Sequence, residues 1–97
     1  MALRIIWSPI ALANYENIIA FLVEKWTIKE IRNLNAKIEA TLTLIKDNPK
    51  LFPKATSDLT IHKARIDLNN YIVYSYSFET QILEIINFRS TRQKPLQ

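Results

Sequence analysis

Lys63, Arg65, Tyr74 and Tyr76 are the residues of this chain whose types and spacing suggest chemistry. They fall in residues 60–78, which read as two strands joined at Asn69-Asn70. Asparagine tolerates positive φ, so a two-residue turn is possible there without glycine. Such a turn sets Leu68 opposite Tyr71, Ile66 opposite Val73, Arg65 opposite Tyr74 and Lys63 opposite Tyr76. Because side chains alternate, Lys63, Arg65, Tyr74 and Tyr76 then share one face, and Ala64, Ile66, Tyr71 and Val73 the other. The second face suits a packed layer. The first interleaves cations with aromatic rings, which is how proteins grip phosphates and stack on bases. The same residues also suit an ordinary solvated antiparallel sheet, so the pattern alone does not decide.

The elements that must position this hairpin are legible upstream. Leu3 to Trp7 form a short strand candidate, and Ser8-Pro9 reads as an N-cap followed by proline at the first helical position. Ala11, Tyr15, Ile18, Ile19, Leu22 and Trp26 then recur at helical spacing. Thr27 and Glu30 make a capping box for a second helix, whose stripe is Ile31, Leu34, Ile38, Leu42 and Ile45, stopped at Asn48-Pro49. Two helices of about 18–20 residues with almost no linker must fold back as an αα-hairpin. Their stripes need cover, so the hairpin is expected across one sheet face with the other left open.

Residues 50–58 read as a linker with turn formers and two lysines. The last strand is Gln81 to Phe88, after a turn near Glu79-Thr80. A strict two-residue turn would put Glu84 in the core, whereas a longer turn or a bulge would put Leu83 and Ile85 inward. The expected class is α+β, in the order β-α-α-β-β-β, with the helical hairpin on a small antiparallel sheet.

Composition bounds what such a scaffold does. Ninety-seven residues, 48% of them hydrophobic, make one domain over residues 1–97 with a modest core. There is no cysteine and one histidine, which leaves no ligand set for a zinc site of the usual kind. The chain has no glycine, against an average of about 7%, so glycine-rich phosphate loops are excluded. No cofactor or metal is expected. No apolar stretch approaches the ~18 residues of a spanning helix, and the opening is too short for a signal peptide, so a cytoplasmic protein with no membrane partner is expected.

Net charge is +4 and unevenly placed. Residues 1–48 hold six Lys/Arg against five Asp/Glu, and residues 49–97 hold seven against four. Arg89, Arg92 and Lys94 lie in a closing stretch, residues 89–97, without any acid. This basic tail and the sheet half point to an anionic partner, either nucleic acid or an acidic protein.

Taken in order, these pieces resemble the RelE/ParE superfamily of bacterial type II toxin–antitoxin toxins over essentially the whole chain. The resemblance is carried by Ile5 to Pro9 with the helix bearing Tyr15 and Ile18, and by the helix ending Leu44 to Pro49. The hairpin Ile66 to Tyr74 and the closing Phe88 to Pro95 complete it. It implies a growth-inhibiting toxin, of the kind associated with plasmid stabilisation, neutralised by a small and usually acidic antitoxin that wraps it. RelE-like members cleave mRNA in the ribosomal A site without metal, whereas ParE-like members poison DNA gyrase. For the nuclease, the resemblance implies Lys63 and Arg65 as the paired basic residues and Arg92, with Arg89 as second choice, as the late arginine.

Two departures weigh toward the gyrase-directed branch. Ile72 follows Tyr71 where RelE-like members usually have arginine, and the tail after Arg92 carries no tyrosine. Nuclease residues act as a unit, so losing two of them should cost orders of magnitude. As a gyrase binder the protein would use its helical hairpin and basic tail as contact surfaces. The remaining residues read as structural: His62 as a partly buried histidine, Trp7 and Trp26 as anchors, and Glu16, Glu24, Lys29 and Glu39 as solvated helix faces.

Overall fold

Ser8 does two jobs that tie the first helix to the sheet. The structure, a computed structural model describing residues 3–54 and 61–90, starts with strand β1 (Arg4–Trp7) and helix α1 (Pro9–Lys25). Ser8 is extended, with its Oγ accepting from the Ala11 N–H at 3.1 Å, and Pro9 opens the helix as its missing donor allows. The same Oγ donates to the Ile86 carbonyl at 2.7 Å, and the Ser8 N–H donates to the Ile85 carbonyl at 3.0 Å. Helix α2 (Ile28–Asp47) follows, with Thr27 Oγ1 accepting from the Glu30 N–H at 3.3 Å. The expected second half of this capping box, a bond from the Glu30 side chain, is not among the hydrogen bonds of the described residues. The helix ends at Asn48, before Pro49.

Strands β2 (His62–Arg65), β3 (Asn70–Ser77) and β4 (Ile82–Ser90) complete the order β-α-α-β-β-β. The sheet order is β1-β4-β3-β2, so β4 and β3 are central. The meander is antiparallel as expected, while β1 joins β4 in parallel, Arg4 beside Ile82 and Trp7 beside Ile85. A parallel neighbour needs a crossover, which the helical hairpin supplies. Ile18, Leu22, Leu34, Ile38 and Ile45 from the helices bury against Ala64, Ile72, Tyr74, Leu83, Ile85 and Phe88. Trp7, Tyr15 and Phe88 meet with ring centroids 5.6–6.1 Å apart and seat α1 on the sheet. No helix among the described residues is long and apolar enough to cross a membrane.

The turn before the last strand spans four residues but keeps the register of a two-residue turn at Glu79-Thr80, and the strand then bulges. Phe78 to Gln81 make a four-residue turn between Ser77 and Ile82, with Gln81 at φ 58°. Ser77 still pairs with Ile82, so Glu84 stays opposite Ser75 as a two-residue turn would set it. Leu83 and Ile85 turn inward because their partners Tyr76 and Tyr74 lie on the core side of β3, which leaves Glu84 exposed. The pairing then shifts: Tyr74 faces Ile85 but Val73 faces Asn87, so Ile86 is extra. Without this bulge Phe88 would turn outward; with it, Phe88 is buried. The Ile86 carbonyl, out of the ladder, is the one Ser8 Oγ binds. Ser8→Ala therefore removes a cap and the bulge's partner together. It is expected to cost about 2 kcal/mol, read as a lowered midpoint in urea unfolding.

The first hairpin differs from the sequence reading by three residues. Lys63 faces Val73, Arg65 faces Tyr71, and the Ile66 N–H donates to the Asn70 carbonyl at 2.8 Å. The loop is Asp67-Leu68-Asn69, and Gln81 is the only non-glycine residue at positive φ among the described residues, so neither asparagine uses that freedom. Asp67 decides the register. Its Oδ1 accepts from the Asn69 and Asn70 N–H groups at 2.8 and 2.9 Å and from Asn70 Nδ2 at 3.0 Å. These bonds fold the chain one step earlier than an Asn-Asn turn would. They also offset the cost of Asn70 Oδ1, which is buried without a hydrogen-bond partner among the described residues. Asp67→Ala is expected to destabilise by about 1–3 kcal/mol and to loosen the β2–β3 register, visible as faster amide exchange from His62 to Tyr74.

Candidate functional site

An odd-numbered register shift turns every side chain of β3 to the opposite face relative to β2. Asn70, Ile72 and Tyr74 therefore bury with His62 and Ala64, while Tyr71 and Val73 join Lys63 and Arg65 on the open face. The expected quartet of Lys63, Arg65, Tyr74 and Tyr76 is not formed, and Tyr71, read from sequence as a packed residue, takes the outward place.

Tyr71 is the centre of the arrangement. It pairs with Arg65 on β2 and with Arg89 on β4, so an arginine flanks it on each side at strand spacing, about 5 Å. Lys63, diagonal to it, sets Nζ 4.3 Å from the ring centroid in a cation–π contact. Three exposed cations thus surround one half-buried ring. Their mutual repulsion in this small area raises the affinity of the patch for an anion, and the ring offers a stacking surface. The acid on the same face, Glu84, pairs with Ser75, four residues along β3 from Tyr71 or about 13 Å away. Arg4, on β1, adds an exposed cation that the sequence reading did not single out. Only strand order could have shown it, because β1 joins the sheet beside the last strand.

The other expected site residues lie elsewhere. Tyr74 is fully buried, with its hydroxyl donating to the Pro49 carbonyl at 2.7 Å and its ring stacked on His62 at 5.3 Å. Burial, and next to it the neighbouring Tyr76, push its phenol up to about 12. It can neither stack on an external base nor exchange a proton at neutral pH. Tyr76 lies on the Tyr74 side of β3, against His62 and Phe78. Arg92, Lys94 and the rest of the tail, like residues 55–58 of the linker, lie outside the described residues. Ile72, whose place was read as one where an arginine would serve catalysis, is buried and points into the core. An arginine there would not reach the open face in this register. His62 is the structural residue it was expected to be, with its Nδ1–H donating to the Phe52 carbonyl at 2.8 Å. Among the described residues, no group of three or more histidine, cysteine, aspartate or glutamate side chains is placed to hold a metal ion.

The comparisons with known proteins agree with this architecture. Residues 5–95 match the family described as "ParE toxin of type II toxin-antitoxin system, parDE". The chain belongs to this family. Among solved structures, the toxin resembles a "YoeB/ParE toxin from Agrobacterium tumefaciens" at TM-score 0.68 and 21% identity, covering 90% of this chain and 96% of that one. It also resembles the YoeB dimer from Staphylococcus aureus at TM-score 0.67 and 21% identity, covering 92% and 97%. At such identity the likeness shows the fold, which is the RelE/ParE-like one. No curated protein matches the sequence. Membership makes the chain a toxin of a toxin–antitoxin system and implies a cognate antitoxin as partner.

Proposed function

We propose that this ParE-family toxin inhibits growth in the cytoplasm by binding and poisoning DNA gyrase, and that an acidic antitoxin neutralises it by covering the cations of the open face. The supporting observation is the chemistry around Tyr71. RNA cleavage needs a base for the 2′-hydroxyl proton, an acid for the leaving oxygen, and cations for the phosphorane. The patch supplies cations in Lys63, Arg65 and Arg89. The groups that surround Tyr71 among the described residues include no carboxylate or imidazole, and His62 is turned into the opposite face. An array of charge and one ring is suited to holding a macromolecular surface, and less to moving protons.

The second reading, a metal-independent mRNA endoribonuclease acting on the ribosome, is favoured by one feature. Tyr71 between two arginines and a lysine is able to stack a base and stabilise a phosphorane at once. Induced expression, with mRNA integrity and plasmid topology read side by side, separates the two. Gyrase-linked double-strand breaks with intact mRNA are the expected result. Rapid codon-boundary cleavage with unchanged supercoiling would sink the gyrase reading.

A further inference from the structure

A second cluster of cations and rings lies away from the Tyr71 patch. It forms where the core side of the sheet runs past the helices. Tyr74, still under the helical layer, is fully buried, but Tyr76 is only half-buried and Phe78 is exposed. His62, Tyr76 and Phe78 make a row with ring centroids 5.5 and 5.3 Å apart. The segment after α2 forms the facing wall, giving a cleft of about 500 Å³ lined by Lys50, Phe52, Pro53, Lys54, His62 and Tyr76. That volume is in the range of small-ligand sites.

The wall is held in place from three sides. The Tyr74 hydroxyl donates to the Pro49 carbonyl, the His62 ring to the Phe52 carbonyl, and the Lys63 N–H to the Pro53 carbonyl at 2.9 Å. That last bond sets Lys54 opposite His62 as an antiparallel rung beside β2. A loop backbone fixed by these three bonds carries Lys50 and Lys54, both exposed and neither ion-paired among the described residues. Tyr76 likewise has no hydrogen-bond partner for its hydroxyl among them. Aromatic faces with a phenol at hand and two cations on the rim match a nucleotide, with its flat base, hydrogen-bonding edge and phosphate. An acidic peptide would use the lysines but leave the ring row without a role.

We propose that this cleft is a second binding site, distinct from the open sheet face, which takes a nucleotide with its base against Tyr76 and its phosphate on Lys50 and Lys54. The site does not depend on whether gyrase or the ribosome is the toxin's target.

The test is an NMR titration of the purified toxin with adenosine monophosphate, with a six-nucleotide single-stranded RNA, and with polyglutamate. Shifts of the His62, Tyr76 and Phe78 ring signals are expected with the nucleotide probes. Saturation by the monophosphate alone would identify a free nucleotide, and saturation only by the oligomer would identify a strand; both support the site. Combining Lys50→Ala with Lys54→Ala is expected to weaken binding about tenfold or more, with a shallower salt dependence. Tyr76→Leu is expected to weaken it about tenfold while keeping the apolar volume. Because the two lysines are exposed, their variant separates binding from folding. Shifts confined to Tyr71, shifts with polyglutamate but not with nucleotides, or no shifts at all would each overturn the proposal.

Discussion

Cells induced to make the triple variant Lys63→Ala, Arg65→Ala and Arg89→Ala are expected to grow almost as if uninduced, whereas induction of the parent toxin is expected to arrest them. The three side chains are exposed on a formed sheet, so removing them should change folding stability by no more than about 0.5 kcal/mol each. Their value lies in charge delivered to one place. A charge-assisted hydrogen bond contributes about 1.5–3 kcal/mol, and 1.4 kcal/mol is a factor of about ten in affinity. Even with strong non-additivity, the triple change should weaken target binding about a hundredfold or more. It should also weaken the antitoxin complex and flatten its salt dependence, because both partners would meet the same cations. Growth curves, with circular dichroism to confirm folding, read the outcome. Undiminished toxicity would remove the open face from the mechanism. Single variants rank the parts: Arg65 and Arg89 flank Tyr71 from both sides, so either alone should cost more than distant Arg4.

Tyr74→Ala is expected to be the most destabilising single substitution in the hairpin, by about 3–5 kcal/mol. It empties a fully buried aromatic site, leaves the Pro49 carbonyl without its donor and removes the ring stacked on His62. Tyr74→Phe keeps the volume and isolates the hydroxyl, at about 1–2 kcal/mol. The same residue gives the protein an alkaline limit. Its phenol titrates from 10.0 in the unfolded chain to about 12 in the folded one, so folding favours the protonated form. Its contribution is whole below pH 10 and is lost between 10 and 12, because in that window the unfolded chain has released a proton that the folded one keeps. Stability should fall by about 1.4 kcal/mol per pH unit there. Tyr74→Phe should lack this component, which urea unfolding from pH 9 to 12 on both proteins would reveal. A slope equal in the two would refute the assignment. A Tyr74→Phe protein that is toxic at low temperature but loses toxicity on warming would further separate this residue from target binding, where the sequence alone had placed it.

Local signals in this chain were reliable because short-range physics makes them. Ser8-Pro9 and Thr27 mark helix starts through bonds within three residues, and Asn48-Pro49 marks a stop. The stripes of α1 and α2 needed one apolar neighbour, and the sheet was the surface available. Lys63 and Arg65 were legible as an outward pair, since alternation within a strand depends on nothing beyond it. The order of elements carried the family resemblance for the same reason. Which tyrosine stood beside those cations was a different kind of question, because it required knowing how two strands slide past each other. Asn69-Asn70 looked like the turn, but the Asp67 carboxylate gathers three donors and closes the loop one residue before Asn70.

By itself, then, the sequence determined the β-α-α-β-β-β order, the helix boundaries, the basic bias of the sheet half and the absence of thiol and glycine-loop chemistry. Only the tertiary structure decided that Tyr71 stands among Lys63, Arg65 and Arg89 while Tyr74 supports the core. It alone placed β1 beside β4, and with it Arg4 on the open face. The physical reason is the two-residue period of a strand: a register set by one carboxylate and one bulge assigns every side chain to the core or to the partner, and neither device has a periodic signature to read.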